Sequence, residues 1–188
     1  MFHPLDGLPE KPRRLSRSDY ERMIAAGILV DEKVELLHGV VIEMSPQTSR
    51  HAYVISKLIA ILAVRLAGRA LVHAQAPLAL TDDSEPEPDF YVTPIADFSK
   101  AHPRTTLLLI EVALTSIDKD KDVKAALYAA AEQPEYWLVD IENRCLVVHR
   151  TPKNGRYSDI RSFAEGERVA MLQFPDVDVA VSEMLPSL

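Results

Sequence analysis

Asp89, Glu111 and Lys124 are the residues whose types and spacing are best suited to chemistry. Asp89 follows a proline at the start of a short apolar segment, and Glu111 interrupts the apolar run TLLLIEV at residues 106–112. An ionised carboxylate in such a run is costly to bury unless a cation compensates its charge. Converging carboxylates are hard oxygen ligands that suit Mg²⁺ or Mn²⁺ rather than zinc. A divalent metal held there polarises a phosphoryl oxygen and lowers the pKa of an attacking water.

Such a site needs elements that bring the two carboxylates together. The run at residues 106–112 predicts a central strand that is buried on both faces. If Asp89 lies on the neighbouring strand, its carboxylate converges with that of Glu111. Two such charges about 4 Å apart repel by roughly 4 kcal/mol at an effective dielectric of about 20. A shared divalent cation or a lysine, here Lys124 on the following helix, relieves this repulsion.

The first half of the chain is predicted to form two helices, a hairpin and a strand. These are a short helix opened by the capping-box pattern Ser18-x-x-Glu21 and ended by Gly27, a hairpin of Val34–Leu37 and Val40–Met44 around His38-Gly39, a helix from His51 to Leu66 ended by Gly68, and an alternating strand over residues 71–80.

The second half is predicted to be richer in strands. Its elements are a loop at Asp82–Pro88, strands at Asp89–Thr93, 106–112, Tyr136–Ile141 and Cys145–His149, a helix at Asp120–Glu132, a turn at Asn154-Gly155, and a charged, β-rich tail that ends near Leu185. The order of the elements is typical of an α/β domain in which helices flank a mixed central β-sheet.

Length and composition set the broad class. A chain of 188 residues with 47% hydrophobic residues has enough apolar material for a single domain, in which we expect residues 1–15 to form an arm. Cys145 is the only cysteine, which excludes a disulfide framework and a thiolate metal site within one chain. The first residues lack the apolar core of a signal peptide, and no run is long enough to cross a membrane. We therefore expect a cytoplasmic protein without a membrane partner.

The net charge of −7 argues against tight, non-specific binding of nucleic acid, because affinity for phosphates comes largely from lysine and arginine. It argues only weakly against phosphodiester hydrolysis. A metal-dependent nuclease concentrates carboxylates in its site, and bound cations offset their charge.

An ordered set of short motifs resembles a known family. The motifs are VELLHGVVIEMSP, a following histidine at His51, EPDFYV, LLIEVALTS, DKDVKAALY and PEYWLVD, and they run from about residue 18 to residue 150. Together they resemble the Uma-type family of putative restriction endonucleases, within the PD-(D/E)XK nuclease superfamily. No single motif is specific to this family, but the order and spacing of the set are.

The resemblance implies a restriction-endonuclease-like core and a site for Mg²⁺ or Mn²⁺. By this likeness Asp89 and Glu111 are metal ligands, and the backbone carbonyl of Val112 is an additional one. Glu35, in VELLHG, is implied as a further acidic residue that assists the site. The likeness also implies a DNA substrate and, by analogy with many members of the superfamily, a homodimer.

The lysine departs from the strict motif of the superfamily. That motif places lysine at position 113, where this chain has Ala113. Lys124, in DVKAALY, resembles a migrated lysine supplied by the next helix, and its implied role is to position the attacking water and stabilise charge on the phosphate. The loop sequence Ala113-Leu114-Thr115-Ser116 also departs from the family pattern, which leaves the substrate role of this loop open.

Each residue also has a purely structural interpretation. Pro-Asp is a common turn dipeptide, and Pro175-Asp176 is predicted to be such a turn. Glu35 suits the exposed side of a hairpin strand, Lys124 suits a solvated helix face, and His51 suits a helix start. Asp120 and Tyr128 lie four residues before and after Lys124, so both are candidates to face the same cleft. The alternative is that Asp120 and Lys124 only form a salt bridge on the helix surface. Tyr136 and Trp137 are expected in the core.

Three functions remain open at this stage. The first is a Mg²⁺-dependent endonuclease that hydrolyses DNA. The second is a non-catalytic interaction or regulatory module that retains the nuclease fold, which the net acidity favours. The third is a metal-dependent hydrolase of another phosphate ester.

Overall fold

The computed structural model describes residues 13–114 and 120–187, and the side chains of residues 120–122 lie outside that description. Four helices and ten strands follow one another along these residues. In chain order they are α1 (Arg17–Ala25), β1 (Val34–Leu37), β2 (Val40–Glu43), α2 (Ser49–Arg65), β3 (Leu71–Ala74), β4 (Phe90–Thr93), β5 (Leu108–Ala113), α3 (Asp120–Ala130), β6 (Glu135–Asp140), β7 (Cys145–Lys153), β8 (Arg156–Ala164), β9 (Arg168–Ala170), β10 (Asp178–Ala180) and α4 (Val181–Met184).

Six strands form the central sheet, in the order β3-β4-β5-β6-β7-β8. Strands β5 and β6 are parallel, and every other neighbouring pair in this sheet is antiparallel. The parallel pair requires a crossover connection, and α3 provides it. The predicted α/β architecture with a mixed sheet and flanking helices is confirmed.

Alternating residues of β4 and β5 divide the core into two layers. Phe90 and Ile110 pack with α2 on one face, whereas Tyr91 and Leu109 pack with α3 on the other. All six residues of β5 are buried, as the continuous apolar run predicts. Because Glu111 has the same parity as Leu109, its side chain points to the α3 face of the sheet.

The first hairpin has the turn chemistry that its sequence predicts. His38 and Gly39 both have positive φ angles, of 50° and 76°, as a two-residue type I′ turn requires. A Cβ at Gly39 would also lie 2.6 Å from the Cβ of Arg14 and 2.9 Å from the carbonyl oxygen of Leu15. Glycine at position 39 therefore satisfies both the turn and the close passage of the preceding chain.

The N-cap of α1 is predicted at Ser18, and this prediction is wrong because the cap is Ser16. The helix begins after Ser16, whose hydroxyl accepts the amide of Asp19 at 3.1 Å, and the Asp19 carboxylate accepts the amide of Ser16 at 3.1 Å. Ser18 therefore lies inside the helix rather than at its start. The sequence contains two overlapping capping patterns, one at Ser16 and one at Ser18. The amide of Arg17 donates to the carbonyl of Asp82, and this contact with a distant segment favours the start at Ser16. Gly27, with φ 73°, follows the helix as predicted.

The prediction of one strand over residues 71–80 is also wrong. Strand β3 ends at Ala74, because Gln75 adopts a positive φ of 50° and turns the chain. Residues 76–80 continue as irregular chain, although Leu78 and Leu80 are buried. The amide of Leu78 donates to the carbonyl of Pro86 instead of to a neighbouring strand. The alternation of apolar residues thus reports burial here and not strand pairing.

Within the described ranges, no helix is long and apolar enough to cross a membrane. Residues 1–12, which make up most of the predicted arm, lie outside the description, as do Thr115 and Ser116 of the loop after β5. Leu15, at the end of the predicted arm, donates its amide to the carbonyl of Gly39 at 2.9 Å.

The buried carboxyl of Glu85 makes stability depend on pH. Its side chain is 2% exposed, its Oε2 has no hydrogen-bond partner among the described residues, and Arg17 Nη1 lies 3.9 Å away. Burial, with a smaller contribution from Glu21, raises the pKa of Glu85 to about 7, against about 4.3 for an unfolded glutamate. The contribution of Glu85 to the free energy of unfolding is therefore fully present below about pH 4 and is lost as the pH rises through about 7.

Replacing Glu85 with glutamine is expected to raise the free energy of unfolding by about 1–3 kcal/mol at pH 8 and to change it little at pH 4. The glutamine removes a charge that the wild type must bury above neutral pH. Denaturant unfolding at both pH values measures the difference, and the exposed Glu32→Gln variant is the matched control. A gain that is equal at the two pH values would contradict the assignment to burial of the charge.

Candidate active site

The four predicted site residues and Val112 line one cleft of about 770 Å³. Glu35 comes from β1, Asp89 directly precedes β4, Glu111 and Val112 lie on β5, and Lys124 lies on α3. Elements from the hairpin, the central sheet and the crossover helix therefore meet at this cleft.

Sheet register places Asp89 beside Glu111. Phe90 is the partner of Ile110 in the antiparallel pair β4–β5. Asp89, just before Phe90, therefore lies opposite Glu111, just after Ile110. The Oδ2 atom of Asp89 accepts the backbone amide of Val112 at 2.8 Å. Asp89 and Glu111 therefore occupy neighbouring positions, and both side chains line the same cleft.

Lys124 is a largely buried cation and not a solvated helix lysine. Its side chain is 14% exposed, and its Nζ lies 3.1 Å from Glu35 Oε2 and 3.2 Å from Glu111 Oε1. Burial alone would lower the pKa of Lys124, but the carboxylates of Glu111 and Glu35 outweigh it, and the pKa lies above its usual value. Lys124 therefore holds a positive charge between two carboxylates from distant parts of the chain.

Glu111 is held on its other side by Tyr128, one turn after Lys124 on α3. The Tyr128 hydroxyl donates to Glu111 Oε1 at 2.6 Å, and both residues are buried. Burial raises the pKa of the Glu111 carboxyl, and the charge of Lys124 opposes this shift. Burial likewise keeps the pKa of Tyr128 well above its usual value, so that the hydroxyl remains a neutral donor. Tyr128 faces the site, whereas the side chain of Asp120 lies outside the described residues.

His51 lies in the first turn of α2, as its structural interpretation expects, and its side chain also contacts the site. Its Nε2 lies 3.0 Å from Asp89 Oδ2, and its side chain is 11% exposed. Because an ionised Asp89 is an acceptor only, His51 donates in this contact. The backbone amide of His51 also donates to the hydroxyl oxygen of Thr48, the N-cap residue of α2. The Nδ1 atom is buried and has no hydrogen-bond partner within the described ranges.

Glu87 is the cleft residue that sequence reasoning missed. Its backbone amide donates to Glu35 Oε2 at 3.1 Å, and its side chain lines the cleft. Burial and the charge of Glu35 raise the pKa of the Glu87 carboxyl. The signal was present in the sequence: Glu87 precedes Asp89 by two residues, and in extended chain such residues share a face.

Glu35 is 6% exposed, so the alternative of an exposed hairpin residue is wrong. Tyr136 and Trp137 are fully buried and belong to the core, as predicted. Pro175-Asp176 forms a turn, also as predicted.

The oxygen donors of the cleft suit a magnesium or manganese ion that keeps some of its water ligands, rather than an ion enclosed entirely by protein ligands. Within the described ranges, no group of three His, Cys, Asp or Glu residues is arranged to hold a metal ion. The cleft instead offers the carboxylates of Asp89 and Glu111 together with backbone oxygen. Mg²⁺ is commonly bound by one or two carboxylates, and it fills its remaining positions with water and substrate phosphate. The residues present therefore fit such an ion.

Comparison with known proteins places these residues in a wider context. The sequence profile of the Uma2 family, described as "Putative restriction endonuclease", matches residues 17–182. A crystal structure of a putative nuclease belonging to DUF820 from Anabaena variabilis ATCC 29413 is similar in fold, with a TM-score of 0.66 and 16% sequence identity. The match covers 80% of this chain and 88% of that one. No curated protein matches the chain.

Proposed function

This chain belongs to the Uma2 family of putative restriction endonucleases, and from that premise we propose that it is a metal-dependent endonuclease that hydrolyses DNA phosphodiester bonds. The observation that carries the proposal is the bridge formed by Lys124 between Glu35 and Glu111, beside Asp89 and at the base of an open cleft. Buried ionisable residues gathered in a cleft are typical of active sites.

Asp89, Glu111 and the carbonyl of Val112 would hold the metal. In an extended strand the amide and the carbonyl of one residue point to the same side. Because the Val112 amide donates to Asp89, the Val112 carbonyl faces the same side of β5 as that carboxylate. When bound, Mg²⁺ or Mn²⁺ polarises the scissile phosphate and makes a bound water more acidic.

Other residues keep the two carboxylates in place. His51 and the Val112 amide both contact the same oxygen of Asp89, Oδ2, which fixes the rotation of the carboxylate. The Tyr128 hydroxyl does the same for Glu111. Glu35 holds the ammonium group of Lys124 beside Glu111. These contacts mean that little rearrangement is required when substrate arrives.

Lys124 is the residue that acts on the reacting groups. An ammonium group carries three donors, and two of them are directed to Glu35 and Glu111. The third is available to orient a water molecule or to contact a phosphate oxygen, and the positive charge stabilises the charge that develops on the phosphate. The pKa of Lys124 lies above its usual value, so this group acts as a fixed cation and not as a base.

The walls of the cleft also suit a nucleotide. Apolar side chains of the hairpin and of the elements around β5 line it, namely Leu37, Val40, Ile42, Leu114 and Val123. Apolar surface of this kind can pack against a deoxyribose or a base, while the charged floor faces the phosphate. The expectations of a homodimer and of a cytoplasmic location rest on analogy and composition and stay predictions.

The proposal is tested by incubating the protein with plasmid DNA, single-stranded DNA, RNA and a small phosphodiester, each with Mg²⁺ or Mn²⁺. We expect DNA cleavage that requires the metal and that EDTA abolishes. Cleavage of the small ester alone would support a hydrolase of another phosphate ester. If no substrate is cleaved with either metal, the endonuclease proposal fails and a non-catalytic module becomes the better interpretation.

A further inference from the structure

One segment of this acidic chain carries no acid. Residues 44–81 contain no aspartate or glutamate, although the chain as a whole has a net charge of −7. The same segment contains Arg50, Lys57, Arg65 and Arg69, and α2 lies within it. A local excess of basic residues in an acidic protein indicates a surface for an anionic partner.

Only part of this positive charge is available to a partner. Arg65 pairs with Glu183 at 2.7 Å, and Arg69 pairs with Asp176 at 2.6 Å, so these two arginines stabilise the fold. Arg50 and Lys57 form no ion pair with a carboxylate in the described parts of the chain. The free charge of the segment therefore lies on the first half of α2.

Arg50, Tyr53 and Lys57 share one face of α2, which we call the α2 cationic face. Their spacing of three and seven residues places them on one side of the helix, next to the buried stripe that contains Val54 and Leu58. Arg50 is exposed, the Tyr53 side chain is 42% exposed, and Lys57 Nζ lies 5.9 Å from the centre of the Tyr53 ring. The face combines two cations with an aromatic ring along about 10 Å of helix.

The α2 cationic face is continuous with the active-site cleft. His51 lines the cleft and contacts Asp89, and Arg50 is its neighbour in the chain. Between β2 and α2, the rim of the cleft consists of the uncharged residues 44–47. Besides the site residues, the cleft is lined by three acidic side chains, Glu43, Asp83 and Glu87, and by one arginine, Arg14. A polyanion that enters the cleft is therefore repelled along one side and attracted toward α2.

We propose that the α2 cationic face binds the DNA strand on one side of the scissile phosphate, and that it prefers a single-stranded segment. This inference rests on the proposed nuclease function. Arg50 and Lys57 contact backbone phosphates as charged donors. Tyr53 stacks on an unpaired base, as exposed aromatic rings do in proteins that bind single strands. An aromatic ring between two cations suits a single strand better than a duplex, whose bases are already stacked.

The test measures binding without cleavage. A short fluorescein-labelled single strand and the corresponding duplex are titrated with protein in EDTA, and anisotropy is followed at several salt concentrations. The Arg50→Gln/Lys57→Gln variant is expected to bind the single strand at least about tenfold more weakly. Its salt dependence should fall by about 1.4 in logarithmic slope, the amount for two lost phosphate contacts on a single strand. Tyr53→Leu is expected to weaken binding of the single strand by about tenfold and binding of the duplex much less.

The matched control is Lys153→Gln/Arg156→Gln. These two basic residues are exposed on the β7–β8 hairpin and do not line the cleft, and their replacement changes the net charge equally. This control is expected to bind as the wild type does. Because Arg50 and Tyr53 are exposed and outside the core, thermal unfolding of their variants should match that of the wild type.

Three results would count against the inference. If the wild type cleaves DNA and the Arg50→Gln/Lys57→Gln variant binds with unchanged affinity and salt slope, the α2 cationic face is not the binding surface, although the proposed function stands. If the control weakens binding equally, the effect is one of net charge and the inference is overturned. If the wild type neither binds nor cleaves any nucleic acid, the proposed function fails and the inference fails with it.

Discussion

Glu111→Gln is expected to lower the rate of DNA cleavage by at least about a thousandfold and to abolish binding of Mn²⁺, while the protein stays folded. The substitution removes one of two carboxylates that would hold the metal, and a loss of several kcal/mol of transition-state stabilisation corresponds to this factor. Glutamine keeps the shape of the side chain and an oxygen that can accept from Tyr128, which donates to Glu111 Oε1 in the wild type. Lys124 keeps its pairing with Glu35.

Calorimetric titration of Mn²⁺ into the wild type, Glu111→Gln and Asp89→Asn measures this effect directly. Both variants are expected to lose binding, because the two carboxylates line the same cleft, one directly before β4 and the other on the adjacent strand β5. Exposed Glu142, replaced by glutamine, is the matched control and should leave binding unchanged. If Glu111→Gln binds Mn²⁺ with the affinity of the wild type, the metal is held elsewhere and the ligand assignment is wrong.

Lys124→Met is expected to abolish cleavage and also to destabilise the fold, by about 3 kcal/mol at neutral pH. Methionine keeps the length of the side chain but removes the charge. The carboxylates of Glu35 and Glu111, which are 8% and 9% exposed, then lack their cation. Breaking a buried ion pair by removing one partner leaves an uncompensated buried charge, which costs more than the pair itself contributes.

A second substitution separates the two effects of Lys124→Met. Adding Glu35→Gln removes one of the uncompensated charges, so the double variant should recover part of the lost free energy of unfolding. Denaturant unfolding of the wild type, both single variants and the double variant gives the coupling energy. Cleavage should stay undetectable in the double variant, because no cation faces the phosphate. If Lys124→Met is as stable as the wild type, Lys124 does not compensate the two carboxylates in the folded protein.

Local sequence patterns determined most of the elements of this fold. The continuous apolar run at residues 106–112 predicted the buried strand β5, because a strand covered on both faces needs no polar side. His38-Gly39 predicted the hairpin, because two successive positive φ angles favour these residue types. The isolated carboxylate in this apolar run also marks Glu111 as unusual in the sequence itself. Such signals are short in range, and the energies behind them act within one element.

The same patterns failed where distant segments compete for one residue. Leu78 and Leu80, in the alternating run over residues 71–80, are buried. The amide of Leu78 nevertheless donates to the carbonyl of Pro86 and not to a neighbouring strand. The cap of α1 moved to Ser16 although Ser18 has a similar pattern. In both cases the local preferences of the alternatives are nearly equal, and contacts with another part of the chain decide between them.

The chemistry of the site was determined by tertiary structure. Sequence alone identified Asp89, Glu111 and Lys124 as candidates, and only the resemblance to a family connected Glu35 to them. The pairing of Lys124 with two carboxylates depends on the register of β4 with β5 and on the packing of α3 against one face of the sheet. His51 and Glu87 entered the site in the same way. Side-chain chemistry can be read from residue types, but the distances between charges are set by packing, and those distances decide whether the charges act together.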